Sequence, residues 1–105
     1  MKLLFDGCVP RPLWRFLPSH TVQTAPELGW EELRNGELLR EAEPLFDAFV
    51  TADKNIRYQQ NVTRRRIAIL VLPTNRWPVL RTMTERIAAA VNRLQPGEFI
   101  EMAAD

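Results

Sequence analysis

The run Ile67-Ala68-Ile69-Leu70-Val71-Leu72 constrains this chain more than any other feature. It is apolar throughout and rich in β-branched residues. A strand with one wet face alternates apolar and polar residues, whereas a strand covered on both faces does not. Arg64, Arg65 and Arg66 lead into the run and Pro73-Thr74-Asn75 breaks it, so it is too short for anything but a strand. A strand buried on both faces needs helices above and below it, and the rest of the chain must supply them.

It has the material to do so. Lys2 to Phe5 reads as a first buried strand, stopped by Asp6-Gly7. Pro10 and Pro12 suit the start of a helix, with Leu13, Phe16 and Leu17 as its apolar face, Trp14 off that stripe, and Pro18 as its end. His20 to Thr24 suggests a shorter strand. Ala25 to Trp30 suggests a turn or a single helical turn, closed by Gly29. Asn35 is a natural cap for a helix carrying Leu38, Leu39, Ala42, Leu45 and Phe46. Ala48-Phe49-Val50 reads as a strand within Asp47 to Thr51, with a turn over Ala52-Asp53-Lys54-Asn55. Ile56 to Asn61 reads as a short helix. Trp77 to Leu94 reads as the longest helix, with Leu80, Met83, Ile87, Val91 and Leu94 buried and Pro96-Gly97 stopping it. Glu98 to Met102 reads as an edge strand. Strand and helix alternate, which predicts an α/β domain with a mostly parallel sheet of four to five strands between helical layers. All strand ends then share one edge, where ligand chemistry gathers in such sheets.

The chain has 105 residues, so residues 1–105 are expected to form a single domain. A net charge of +1 gives no global field to attract nucleic acid. The one local patch is Arg64 to Arg66, which reads either as a basic contact surface or as a solvated lead-in to a strand. With Cys8 alone, no disulfide within the chain and no zinc-type Cys/His spacing exists. That suits a reducing, cytoplasmic setting. The apolar run Leu3-Leu4-Phe5 is too short for a signal peptide or a membrane span, and no membrane partner is expected.

Asp6 and Asp53 both follow strands. Two carboxylates brought close repel unless a proton or a cation lies between them, and hard oxygen ligands suit Mg²⁺ or Mn²⁺. The plainer reading is that each aspartate caps its own turn. Glu37 is the best third carboxylate, and it equally suits simple stabilisation of its helix N-terminus. Asn35 reads as a cap or a site residue. The segment from Asp53 to Asn61 is dense in amides and cations. Asn55, Arg57 and Gln60 suit phosphate or sugar groups, and Tyr58 suits stacking on a base; a helix using its amides on loop backbone is the alternative. Cys8 adjoins the acids without a histidine partner. Trp14, Trp30 and Trp77 read as core or interface residues.

In combination, these residues resemble a known group. Met1-Lys2-Leu3-Leu4-Phe5-Asp6-Gly7-Cys8-Val9-Pro10, Glu27-Leu28-Gly29-Trp30, Asn35-Gly36-Glu37-Leu38-Leu39, Phe46-Asp47, Thr51-Ala52-Asp53-Lys54-Asn55, Tyr58-Gln59-Gln60-Asn61 and Ile67-Ala68-Ile69 are similar to small bacterial PIN-like proteins of unknown function. The resemblance runs from Met1 to about Gly97. It implies a PIN-like three-layer α/β/α sandwich and an acidic site holding Mg²⁺ or Mn²⁺ at Asp6 and Asp53, with Glu37 assisting. It implies an RNA-cleaving activity, in many such domains that of the toxin in a toxin–antitoxin pair. An antitoxin-like protein partner and a homodimer follow from the same resemblance. The chain departs from the wider group at Gly7 and Asn35, where relatives often carry acids. A catalytically weak module that binds protein or RNA is therefore the alternative.

Overall fold

Lys2–Phe5 (β1), Thr21–Thr24 (β2), Ala48–Thr51 (β3), Ala68–Val71 (β4) and Phe99–Glu101 (β5) pair into one five-stranded sheet in the order β2-β1-β3-β4-β5. Every pairing is parallel. The computed structural model describes residues 1–58 and 65–104, and of residues 57 and 58 the backbone.

β3 and β4 are buried at every position, as expected of strands that are apolar throughout (β4) or apolar but for Thr51 (β3). Successive side chains alternate between the two faces. Leu3, Phe5, Ala48, Val50, Ala68 and Leu70 pack on one side with Leu13, Leu80, Ile87 and Val91. Leu4, Phe49, Ile69 and Val71 pack on the other with Leu38, Leu39, Ala42 and Ile56. The three-layer α/β arrangement expected from the alternation of elements is therefore present, and the sheet is wholly parallel.

The helices differ from expectation in instructive ways. The first is a 3-10 helix over Arg11–Phe16. Leu13 and Leu17 are buried, but Phe16 stays exposed and lies against Trp77, with ring centroids 5.9 Å apart. The helix Asn35–Ala42 (α1) is capped by Arg34 rather than Asn35, which occupies the first helical position. Pro44 cannot donate a backbone N–H and disfavours helix at the residue before it. Leu45 thus falls beyond the end of α1 and is exposed, while Phe46 remains buried.

The continuous helix expected over Trp77 to Leu94 is three pieces: Trp77–Leu80 (α2), a 3-10 turn at Arg81–Met83, and Thr84–Arg93 (α3). The Thr82 hydroxyl donates to the Val79 carbonyl at 2.7 Å, competing with the backbone ladder there. The expected stripe survives the break, because Leu80, Met83, Ile87, Val91 and Leu94 are all buried. A 3-10 helix occupies Lys54–Tyr58, and the expected continuation to Asn61 lies outside the described residues.

The strand order reverses at β1. The chain passes from β1 outward to β2 on one side, then returns to β3 on the other. In an open parallel sheet such a reversal leaves a crevice beyond the strand ends, flanked here by β1 and β3.

Candidate functional site

β1 ends at Phe5 and β3 at Thr51, so Asp6 and Asp53 leave the sheet on either side of that reversal. The register pairs Phe5 with Val50, which puts Asp6 level with Thr51. Asp6 continues the face of Leu4, and Thr51 that of Phe49, so both turn toward the layer holding α1.

Thr51 joins the two acids. Its hydroxyl donates to Asp6 Oδ2 at 2.7 Å and accepts the Asp53 N–H at 3.0 Å. Among the described residues Thr51 is the buried polar residue of the core, fully shielded from solvent. A buried hydroxyl without partners would be costly, and this one uses both its donor and an acceptor position. Asp6 Oδ1 accepts the Gly7 N–H at 2.8 Å. Asp53 Oδ1 accepts the Asn55 N–H at 3.0 Å, and Asp53 Oδ2 accepts from the Asn35 side-chain amide at 3.3 Å. Each carboxylate is therefore oriented by donors on both oxygens while remaining half-exposed.

Cys8 Sγ lies 3.6 Å from Asp6 Oδ2 and 3.8 Å from Thr51 Oγ1. The thiol has one proton and donates it to Asp6 Oδ2. Desolvation pushes the Cys8 thiol up from its ordinary value, and the negative Asp6 pushes it further. A thiol so held is a poor nucleophile at neutral pH.

Among the predicted site residues, Asp6 and Asp53 are linked through Thr51, and the Asp53 carboxylate is met by the Asn35 side chain and the Asn55 backbone N–H. Glu37 is directed elsewhere: Glu37 Oε1 accepts the Arg34 N–H at 3.3 Å, filling an orphan donor at the start of α1. Arg34 carries only donors, so it cannot return the bond. No group of three or more His, Cys, Asp or Glu close enough to share a metal occurs among the described residues. The side chains of Arg57 and Tyr58, and all of Gln60 and Arg64, lie outside the described residues. Arg65 Nη2 donates to the Gly36 carbonyl at 3.4 Å, and the Arg66 N–H donates to Glu43 Oε2 at 2.7 Å, which ties the arginine run to α1.

Thr51 is the residue that sequence reasoning passed over. Its signal was present: it is the single polar residue in the otherwise apolar β3, Ala48-Phe49-Val50-Thr51, two positions before Asp53. No family model, curated protein or solved structure matches the chain.

Proposed function

We propose that this domain is a metal-dependent ribonuclease of PIN-like type, with Asp6 and Asp53 as the acids that hold Mg²⁺ or Mn²⁺. The observation that carries this reading is Thr51, whose hydroxyl binds both the Asp6 carboxylate and the backbone N–H of Asp53 at the point where the sheet reverses. The donor set fits such an ion. Mg²⁺ keeps several waters and needs only one or two protein carboxylates besides substrate phosphate oxygens. Bound there, it would supply an activated water and neutralise charge on the phosphodiester.

The protein's own part is orientation. The donors on Asp6 and Asp53 leave a lone pair on Asp6 Oδ1 and one on each Asp53 oxygen for an ion. Asn35 and Asn55 fix Asp53, and the protonated Cys8 leaves Asp6 as the charge on its side of the crevice. The resemblance to PIN-like proteins supports the choice of RNA, a cytoplasmic toxin role with an antitoxin-like partner, and pairing into a homodimer. A purified protein should cleave single-stranded RNA with Mn²⁺ and lose that activity in Asp6→Asn and Asp53→Asn. Unchanged cleavage by the double variant would sink the reading.

The second reading is an interaction module that binds protein or RNA without cutting. The engagement of Glu37 with the Arg34 backbone favours it, because that carboxylate is occupied at its own helix end. Calorimetry separates the two. Heat on titrating Mn²⁺ that is lost in Asp53→Asn supports the nuclease, and its absence supports the module.

A further inference from the structure

Two recesses at the strand-end edge share a wall. One, of about 330 Å³, runs from Asp6 and Gly7 past Arg11 to Thr24 and Glu27. The other, of about 220 Å³, is bounded by Trp14 and Val22 together with the same Arg11, Thr24 and Glu27. They form one groove that starts at Asp6 and ends at an indole.

That indole is conspicuous. Trp14 is 51% exposed. The aromatic contacts within the described residues are Phe16 with Trp77 and Trp30 with Phe46, and Trp14 takes part in neither. It is held outward by its backbone: Pro10 and Pro12 fix the start of the 3-10 helix, Leu13 anchors it in the core, and the adjacent Trp14 must face out. Arg11 and Arg15 are exposed on either side of it. Glu27, the acid in the groove wall, is already engaged, with its Oε1 accepting the Thr24 N–H at 3.0 Å.

An exposed ring interleaved with cations is how proteins hold single-stranded nucleic acid, by base stacking along a phosphate-binding groove. The narrow recess beside Trp14 suits one unpaired base rather than a duplex. We propose that the groove from Asp6 over Arg11 to Trp14 seats a single RNA strand, with Arg11 on a backbone phosphate and Trp14 stacked on the next unpaired base. The direction of the strand relative to the acids rests on the nuclease reading above; the groove itself does not.

Binding is measured by fluorescence anisotropy with a labelled, non-cleavable 2′-O-methyl RNA of about ten nucleotides, in EDTA. Trp14→Ala is expected to weaken binding about tenfold, with an unchanged circular dichroism spectrum and melting temperature. Trp14→Phe should restore most of the affinity. Arg11→Ala should reduce the slope of log K against log salt by about 0.7, the loss of one phosphate contact. Wild-type affinity and slope in both alanine variants would overturn the proposal, as would a wild-type protein that binds no oligonucleotide at low salt. Loss of self-association in Trp14→Ala with RNA binding unchanged would assign the ring to a protein interface instead. The nuclease reading is tested apart, by cleavage in Mn²⁺. Binding through Trp14 without cleavage keeps the groove and removes the enzyme. Cleavage that ignores Trp14 and Arg11 keeps the enzyme and removes the groove.

Discussion

Thr51 Oγ1 lies 2.7 Å from Asp6 Oδ2, and the threonine making this bond is wholly withdrawn from solvent. The bond spans two neighbouring strands and orients an acid from the one using a hydroxyl from the other. A half-exposed carboxylate is thus held by a buried group, which makes its geometry a property of the sheet rather than of a loop.

Thr51→Val keeps the shape of the side chain and removes the hydroxyl. Asp6 loses a donor, and the Asp53 N–H loses its acceptor. The expected cost is about 1–3 kcal/mol, read in urea unfolding as a lower midpoint with an unchanged slope. Thr51→Ser should recover most of it. A Thr51→Val protein as stable as the parent would mean that the bridge contributes nothing.

Cys8 reports on the charge of Asp6. A negative neighbour disfavours the thiolate, so removing that charge moves the thiol titration downward. Asp6→Asn should therefore shift the pH profile of iodoacetamide alkylation to lower pH and speed the reaction at neutral pH. An identical profile would show that desolvation, the larger cause, acts alone.

Asn35 donates to Asp53 Oδ2 at 3.3 Å, so Asn35→Asp places a second carboxylate beside the first. Without metal, the two charges repel. The variant should be less stable than the parent at neutral pH, with the deficit shrinking as pH falls and one carboxylate takes a proton. With Mn²⁺, an added oxygen ligand should tighten binding roughly tenfold. Calorimetry checks this, and no gain in affinity would remove the Asn35–Asp53 pair from the proposed metal site.

Two glycines in left-handed backbone should differ in tolerance. Gly29 has φ 74° and open space where a Cβ would stand, whereas at Gly97, with φ 80°, that atom would meet the Arg65 carbonyl oxygen at 3.3 Å. Gly29→Ala should cost about 1–2 kcal/mol from conformation alone, and Gly97→Ala more. Thermal melts resolve the order, since about 1 kcal/mol moves the midpoint of a domain this size by several degrees. The reverse ranking would contradict the close approach at Gly97.

The elements that were legible in the sequence are those whose composition admits one solution. Ala68–Val71 and Ala48–Thr51 had to be strands covered on both faces, and the five buried positions between Leu80 and Leu94 hold whether or not the helix is continuous. What was not legible depends on competition between near neighbours. Asn35 is a better cap than Arg34 by chemistry, yet Arg34 holds the extended backbone at that position, and Asn35 is released to meet Asp53. Phe16 fits a helical stripe, but the helix is too short and too tightly wound to bring it under the sheet. Glu37 fits both a metal site and a helix start, and only its bond to the Arg34 N–H distinguishes them. Thr51 lies hidden for a different reason. Its importance comes from the pairing of β1 with β3, which joins residues more than forty positions apart in the chain.

That pairing has a kinetic consequence. β1 is made from the first residues of the chain and sits between β2 and β3, so both its edges are filled only after a loop of more than forty residues has closed. Closing such a loop is entropically costly, and parallel pairing returns its gain late. The Asp6–Thr51 contact therefore belongs to a late, cooperative step of assembly. A chain that stops short of β3 carries Asp6 with no strand beside it on that side, so the bond from Thr51 that orients the carboxylate cannot form.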